Sequence, residues 1–311
     1  MFPNALYTGF NYRADNVSSN YNALSVEVQK RLSKGLHFQT GYTWSHLLDT
    51  DSELFSGSTA EASSQPFYYI SNAHENLQYG NGAFDHRHSI KVLFTYELPL
   101  LRQQQGIPGK ILGGWQLSSF YQGYSGYPLE VYNSRSRFVG NALDANGLPE
   151  NLGGDYNLDG EDNDHPDFIG GRASSAYSHA NPADGIFKDN HPIGCGFAGA
   201  QSTNIADCNA AYGVVTPNSL FANPTGTGVR FGTLGRNVFY GPWYNELDAG
   251  IYKNFKVTER VKMQFRAEGI NLPNHPDFGG INTNLNSGSF GLALNQSNAP
   301  RRIQFGLRVL F

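Results

Sequence analysis

The 311-residue sequence predicts an all-β fold, an antiparallel transmembrane β-barrel present in part, with about seven strands and long loops. Three observations carry this reading. Long segments alternate apolar and polar residues with period 2. The connections between them alternate short and long. The last segment runs apolar in phase up to an aromatic C-terminal residue, Phe311.

Period 2 places alternate side chains on opposite faces of a strand. The first segment, about Tyr21 to Leu32, sets Leu24, Val26 and Val28 against Ser25, Glu27, Gln29 and Arg31. The second, Leu36 to about Ser45, sets Leu36, Phe38, Thr40, Tyr42 and Trp44 against His37, Gln39, Gly41 and Thr43. The third, about Ser89 to Leu98, has Ile90, Val92, Phe94, Tyr96 and Leu98 in phase, opposed by Lys91, Thr95 and Glu97. The fourth starts near Trp115 and is the least clean, because Phe120 falls on the polar phase. The fifth, about Asn245 to Val257, carries Leu247, Ala249, Ile251 and Phe255 against Glu246, Asp248 and Asn254. The sixth runs from Val261 to about Gly269, and the seventh from Arg302 to Phe311. A tilted strand crosses a bilayer in about 9–11 residues, whereas strands of soluble proteins average about 5–6. These segments have the longer length. A sandwich with one wet face also alternates, so the connections are needed to decide.

Ser33-Lys34-Gly35 and Thr258-Glu259-Arg260 are tight links, and about 99–114 is a modest one. Stretches of about 49–87, 133–244 and 271–301 are long. Outer-membrane barrels have short periplasmic turns and long extracellular loops. This sorting predicts that the three long stretches are extracellular and that Phe311 ends in the periplasm. Counting back, the first segment also descends. Because a complete barrel starts in the periplasm, earlier strands are expected outside this chain. Met1-Phe2-Pro3-Asn4-Ala5 lacks the basic and apolar regions of a signal peptide. Lys30 and Lys253 fall on apolar phases near the expected periplasmic strand ends, where long side chains snorkel to the interface.

Composition agrees. Aromatics are 14%, with 36 Gly and only 2 Met, which suits strands and turns better than helices. The net charge is −4 and no Lys/Arg cluster stands out, which argues against nucleic acid as a partner. No run of about 18 apolar residues offers a transmembrane helix. Cys195 and Cys208 are expected to form a disulfide if the chain is exported. The alternative is two loop thiols.

The in-phase residues Phe305, Leu307, Val309 and Phe311 resemble the C-terminal signal read by the barrel-assembly machinery of the outer membrane. Several motifs point to a family. Asn20-Tyr21-Asn22-Ala23-Leu24, Gly41-Tyr42-Thr43-Trp44-Ser45 and Phe84-Asp85-His86-Arg87-His88 are similar to segments of TonB-dependent transporters with a carboxypeptidase-regulatory-like N-terminal domain. So are Leu234-Gly235-Arg236-Asn237, Gly241-Pro242, Leu247-Asp248 and Asn271-Leu272-Pro273-Asn274-His275-Pro276. The resemblance implies a barrel of about 22 strands with a plug. It implies energised uptake of a siderophore, glycan, peptide or similar substrate, coupled to the TonB complex through an N-terminal part not in this chain. Outer-membrane lipid and the assembly machinery would be its other partners. The alternatives are a porin or adhesin barrel, and a secreted carbohydrate-binding β-sandwich.

One segment resembles a calcium loop. Asp155, Asn157 and Asp159 offer oxygen ligands at alternate positions before Gly160; Glu161, Asn163 and Asp164 are placed to complete the shell. Pro166 stands where an EF-hand needs a bidentate Glu, which excludes a true EF-hand. The bland reading is a polar, turn-rich loop. His86 and His88 are half a metal site or, more simply, a strand start at the membrane boundary. The polar-phase residues Glu27, Arg31, Lys91, Glu97, Glu246, Asp248, Lys262, Arg266, Glu268 and Arg308 read as the wet wall of a barrel. No nucleophile–base order or phosphate-binding loop accompanies them, so no catalytic residue is expected. The loop aromatics Phe67, Tyr68, Tyr69, Phe239, Tyr240, Trp243 and Tyr244 are candidate ligand-facing groups, as in a sugar platform. Tyr42, Trp44, Tyr96, Trp115, Tyr121 and Phe311 fit an interfacial girdle.

Overall fold

The structure, a computed structural model, describes residues 18–50, 52, 79–133, 164–178, 181–190, 218–222, 224, 231–258, 260–285 and 287–311. Among the described residues, seven long strands form one antiparallel sheet: β1 (Ser19–Ser33), β2 (Leu36–Asp49), β3 (His88–Glu97), β4 (Trp115–Tyr124), β5 (Tyr244–Lys256), β6 (Lys262–Ile270) and β7 (Arg302–Leu310). Spatial order equals sequence order, so every connection is a simple hairpin. β1 and β7 are the edges and do not pair with each other, which leaves the sheet open.

The register brings the apolar phases of neighbouring strands together. Val28 pairs with Thr40, Thr40 with Val92, Val92 with Tyr121 and Tyr121 with Leu247. A second row runs Leu36, Tyr96, Leu117, Ile251, Ala267 and Phe305. A one-residue slip in any pair would push an apolar side chain into the polar row. The apolar face is exposed: Leu24, Val28, Ile303, Phe305 and Leu307 all stand in the open. Phe120, the exception to the sequence pattern, lies on the polar face between Leu93 and Asp248.

The hairpins sort the molecule into two ends. At the turn end, Lys34 (φ 53°) and Gly35 (φ 86°) form the two-residue link between β1 and β2. Two successive positive φ values define the turn type that matches strand twist. Thr258 closes the link between β5 and β6 by accepting at Oγ1 from the Val261 N–H (2.9 Å). Between β3 and β4 the chain makes a short helix, α1 (Gly106–Leu112), which the sequence pattern did not predict. The three long connections leave and rejoin the sheet at the other end, the loop end.

Among the described residues, the buried hydrophobic core is made by the loops and not by the sheet. It joins Val131, Ala176, Ile186, Phe187, Leu220, Phe221, Leu234, Phe239, Leu285 and Phe290. Phe187 sits at its centre, with ring centroids 5.1 Å from Phe239, 5.3 Å from Phe290 and 5.6 Å from Phe221. The contacts to Phe239 and Phe221 are edge-to-face, the arrangement the ring quadrupole favours.

Candidate functional site

The polar face of the sheet is a ladder of side-chain hydrogen bonds. Gln39 donates to Glu27 (2.8 Å), Gln122 and Tyr244 both donate to Glu246 (2.8 Å each), and Gln264 donates to Asn254 (2.9 Å). Glu268 accepts from Tyr252 (2.7 Å) and from Gln304 (2.7 Å). Each pair joins residues on facing strands or close neighbours on the same strand, so the register that aligns the apolar rows also aligns these. The result is a wall that offers amides, hydroxyls and carboxylates to water or to a polar solute.

At the loop end, the residues of the sequence motifs lock loops to strand ends. Asp85 is buried; its Oδ1 accepts from the Leu47 N–H (2.8 Å), and its Oδ2 accepts from Arg87 (3.2 Å) and from the Tyr240 hydroxyl (3.0 Å). Arg87 also donates to Tyr240 and lies over its ring. Burial pushes the Tyr240 hydroxyl up to about 12, more than its hydrogen bond from Arg87 lowers it. It therefore stays a donor to Asp85. Arg236 is buried and donates to the carboxylate and carbonyl of Asp49 and to Ser52. Asn237 and Asn81 exchange two bonds, each side-chain amide donating to the other's carbonyl (2.7 and 2.8 Å). Asn271, at φ 48°, donates to the carbonyls of His275 (3.1 Å) and Ala299 (3.0 Å), tying the two ends of the last long loop.

The loop end also holds a buried acid–base pair, Glu130 and His165. His165 Nδ1–H donates to the Leu234 carbonyl (2.9 Å), so the neutral ring presents a bare Nε2 to Glu130. Burial lowers His165 to about 3 and raises Glu130 well above the usual carboxylate range. Both shifts favour a neutral pair, with the proton on Glu130. The Arg236 charge and the hydrogen bond from the Asn237 backbone act against the Glu130 shift, and burial outweighs them.

The candidate aromatics go to four different places. Phe239 is core and Tyr240 is the clasp just described. Trp243 is exposed on the apolar side, stacked on His88, whose Nδ1 bonds the Tyr42 hydroxyl (2.8 Å). Tyr244 stacks on Tyr124 over the polar face, with centroids 4.7 Å apart and planes 9° apart. His86 donates to the Ser125 carbonyl (2.7 Å) and packs against Tyr124 and Tyr127. His86 and His88 thus belong to separate contacts. Phe67, Tyr68, Tyr69, Cys195, Cys208, Asp155, Asn157, Asp159, Glu161 and Asn163 lie outside the described residues. Asp164 is described and buried, its carbonyl accepting from the Asn133 N–H (3.1 Å).

Lys253 departs from the snorkelling expected of it. It is 3% exposed and points its ammonium at the carbonyls of Ile111 (3.1 Å) and Gly113 at the end of α1. The rings of Trp115 and Phe255 flank it at 5.2 and 5.1 Å. Helix-terminal carbonyls lack intrahelical partners, and a cation satisfies them. The missed signal was the helix itself, whose spacing Ile107/Ile111 and Gly113-Gly114 stop were legible.

An open apolar face, a polar face and loops gathered at one end define a membrane-spanning β-wall. The family model of the outer membrane beta barrel domain matches residues 1–304, and the chain belongs to that family. No curated protein and no solved structure matches it. The apolar face is therefore the lipid face, and the polar face the lumen.

Proposed function

We propose that this chain forms wall and mouth of an outer-membrane transporter that takes up a polar substrate by a TonB-dependent route. The observation that carries the reading is the pairing of a hydrogen-bonded polar lumen with a folded loop module at one end. A simple hole needs only the first. The module uses the motif residues Asp85, Arg87, Arg236, Asn237 and Asn271, which are those that resemble the transporter family. In this reading the loop end is extracellular and Phe311 is periplasmic. The open edges of β1 and β7 are paired by further strands of the same barrel, because an unpaired edge cannot face hydrocarbon. Siderophore-, glycan- and peptide-like substrates all fit a lumen of amides, tyrosines and carboxylates.

A passive, porin-like barrel is the second reading, favoured by the same family match and the same polar lining. Full-length protein with its native upstream sequence should fractionate to the outer membrane and migrate heat-modifiably. Uptake of a screened substrate should then stop when the inner-membrane proton gradient is dissipated. Uptake that continues unchanged selects the passive barrel. A soluble product selects a secreted sandwich.

A further inference from the structure

We propose that the connection between β3 and β4 is a membrane anchor: α1 and the leucines before it lie in the headgroup–acyl boundary of the leaflet at the turn end, against anionic lipid. This inference rests on the lipid face and not on the transporter reading. Lys253 and Trp115 occupy the lipid-facing phase, directly paired across β4 and β5. Both hold α1: Lys253 through the carbonyls of Ile111 and Gly113, and Trp115 by donating its indole N–H to Ile111 (3.0 Å). The helix therefore sits on the outside of the wall, continuous with the apolar belt. Leu100, Leu101, Ile107, Ile111 and Leu112 all stand exposed, Ile107 by 76%.

Seven residues are too few for a free helix in water, so α1 persists because it is pinned. Gln104 is the second pin. It is buried, donates to the Asn254 carbonyl (2.8 Å) and accepts from the Lys256 N–H (3.1 Å), extending the β5 hydrogen bonds beyond the sheet. Gly109 and Gly113 permit the close fold-back: a Cβ on either would fall 2.7 Å from Gln104 or 2.1 Å from Leu101 backbone atoms. The pins fix an apolar surface against the rim of the belt, where water gives way to lipid. Residues 98–114 carry Arg102 and Lys110 and no acid. An apolar surface flanked by cations binds the boundary of an anionic leaflet through area and charge together.

The test uses full-length protein in its native membrane, with a photoreactive benzophenone amino acid at position 107. Leu307 on the belt serves as the lipid-exposed control, and Lys34 in the β1–β2 turn as the second turn-end site. Mass spectrometry of irradiated membranes should find lipid adducts at 107 with a yield close to that at 307, and severalfold above that at 34. In reconstituted vesicles, the yield at 107 should rise severalfold when zwitterionic lipid is replaced by anionic lipid, and R102E/K110E should abolish that rise. Protein adducts at 107, or a yield no higher than at 34, would overturn the anchor. Lipid adducts that ignore headgroup charge would overturn the anionic partner.

Discussion

In the wall, the large apolar side chains stand outward: Val28, Ile251, Phe305 and Leu307 are exposed, and polar residues such as Glu268 bond one another on the inner side. At the loop end the order reverses. Phe187, Phe221, Phe239 and Phe290 are buried in one another, and polar groups such as Arg236 and Asp49 are buried only as partners. The wall is organised for hydrocarbon outside and water inside. The loop module is organised like a small soluble domain. One chain therefore folds under two solvent regimes, and the same substitution should have opposite effects in the two regions.

The largest effect is expected at the centre of the loop core. Phe187→Ala should destabilise the module by about 3–5 kcal/mol, read as rapid protease cleavage in the long loops while heat-modifiable migration of the barrel is retained. Loss of both at once would mean that wall and module fold as one unit. Arg236→Met should act on the same module by about 3–5 kcal/mol, because it strands the buried Asp49 carboxylate. Protease protection should return when Asp49→Asn is added, which a purely steric role of Arg236 would not allow.

Lys253→Met tests a buried departure from the rule of outward apolar, inward polar. It keeps the volume but leaves the Gly113 carbonyl without its lysine donor and the Ile111 carbonyl with Trp115 alone, at about 1–3 kcal/mol. Proteolysis within residues 98–114 should rise while the loop module is unaffected.

The pH dependence of the module comes from Glu130 and His165, which face Arg236, the Asn237 backbone and the Leu234 carbonyl. From about pH 3 to 4.5 the unfolded His165 holds a proton that the folded one lacks, so stability rises with pH. Above about 4.5 the unfolded Glu130 loses the proton that the folded one, raised by burial, still holds, and this offsets the His165 contribution. By itself Glu130 therefore lowers stability as pH rises from the ordinary carboxylate range towards its raised folded value. Glu130→Gln should remove that opposing contribution and leave stability rising more steeply with pH through the His165 window, between about 4.5 and 6.5; proteolysis of the loops across that range measures it.

The wall was legible in the sequence because period 2 is local. Each strand carries its own face assignment, and the seven predicted segments match β1 to β7 to within a few residues at their ends. The loop core was not legible because its residues come from distant segments with no common spacing: Val131, Phe187, Phe221, Phe239 and Phe290 share no period. Tyr240 and Trp243 looked alike as loop aromatics, yet one bonds a buried carboxylate and the other stands on the lipid side. Only the three-dimensional path of the chain separates them. Lys253 was misplaced for a related reason: its partners are carbonyls of a turn about 140 residues away, and backbone groups leave no mark in a residue pattern.

The central claim is that the two faces of the sheet meet different solvents. It is tested most directly by comparing Ile251→Arg with Gln264→Arg in the full-length protein folded into lipid bilayers, with stability read from denaturant titration. Ile251 lies mid-strand in the apolar row, between Leu117 and Ala267, and Gln264 lies in the polar row, between Asn254 and Arg308. The account predicts a loss of about 2–4 kcal/mol for Ile251→Arg and less than about 1 kcal/mol for Gln264→Arg, which gives up one neutral hydrogen bond. Equal losses on the two faces would contradict it.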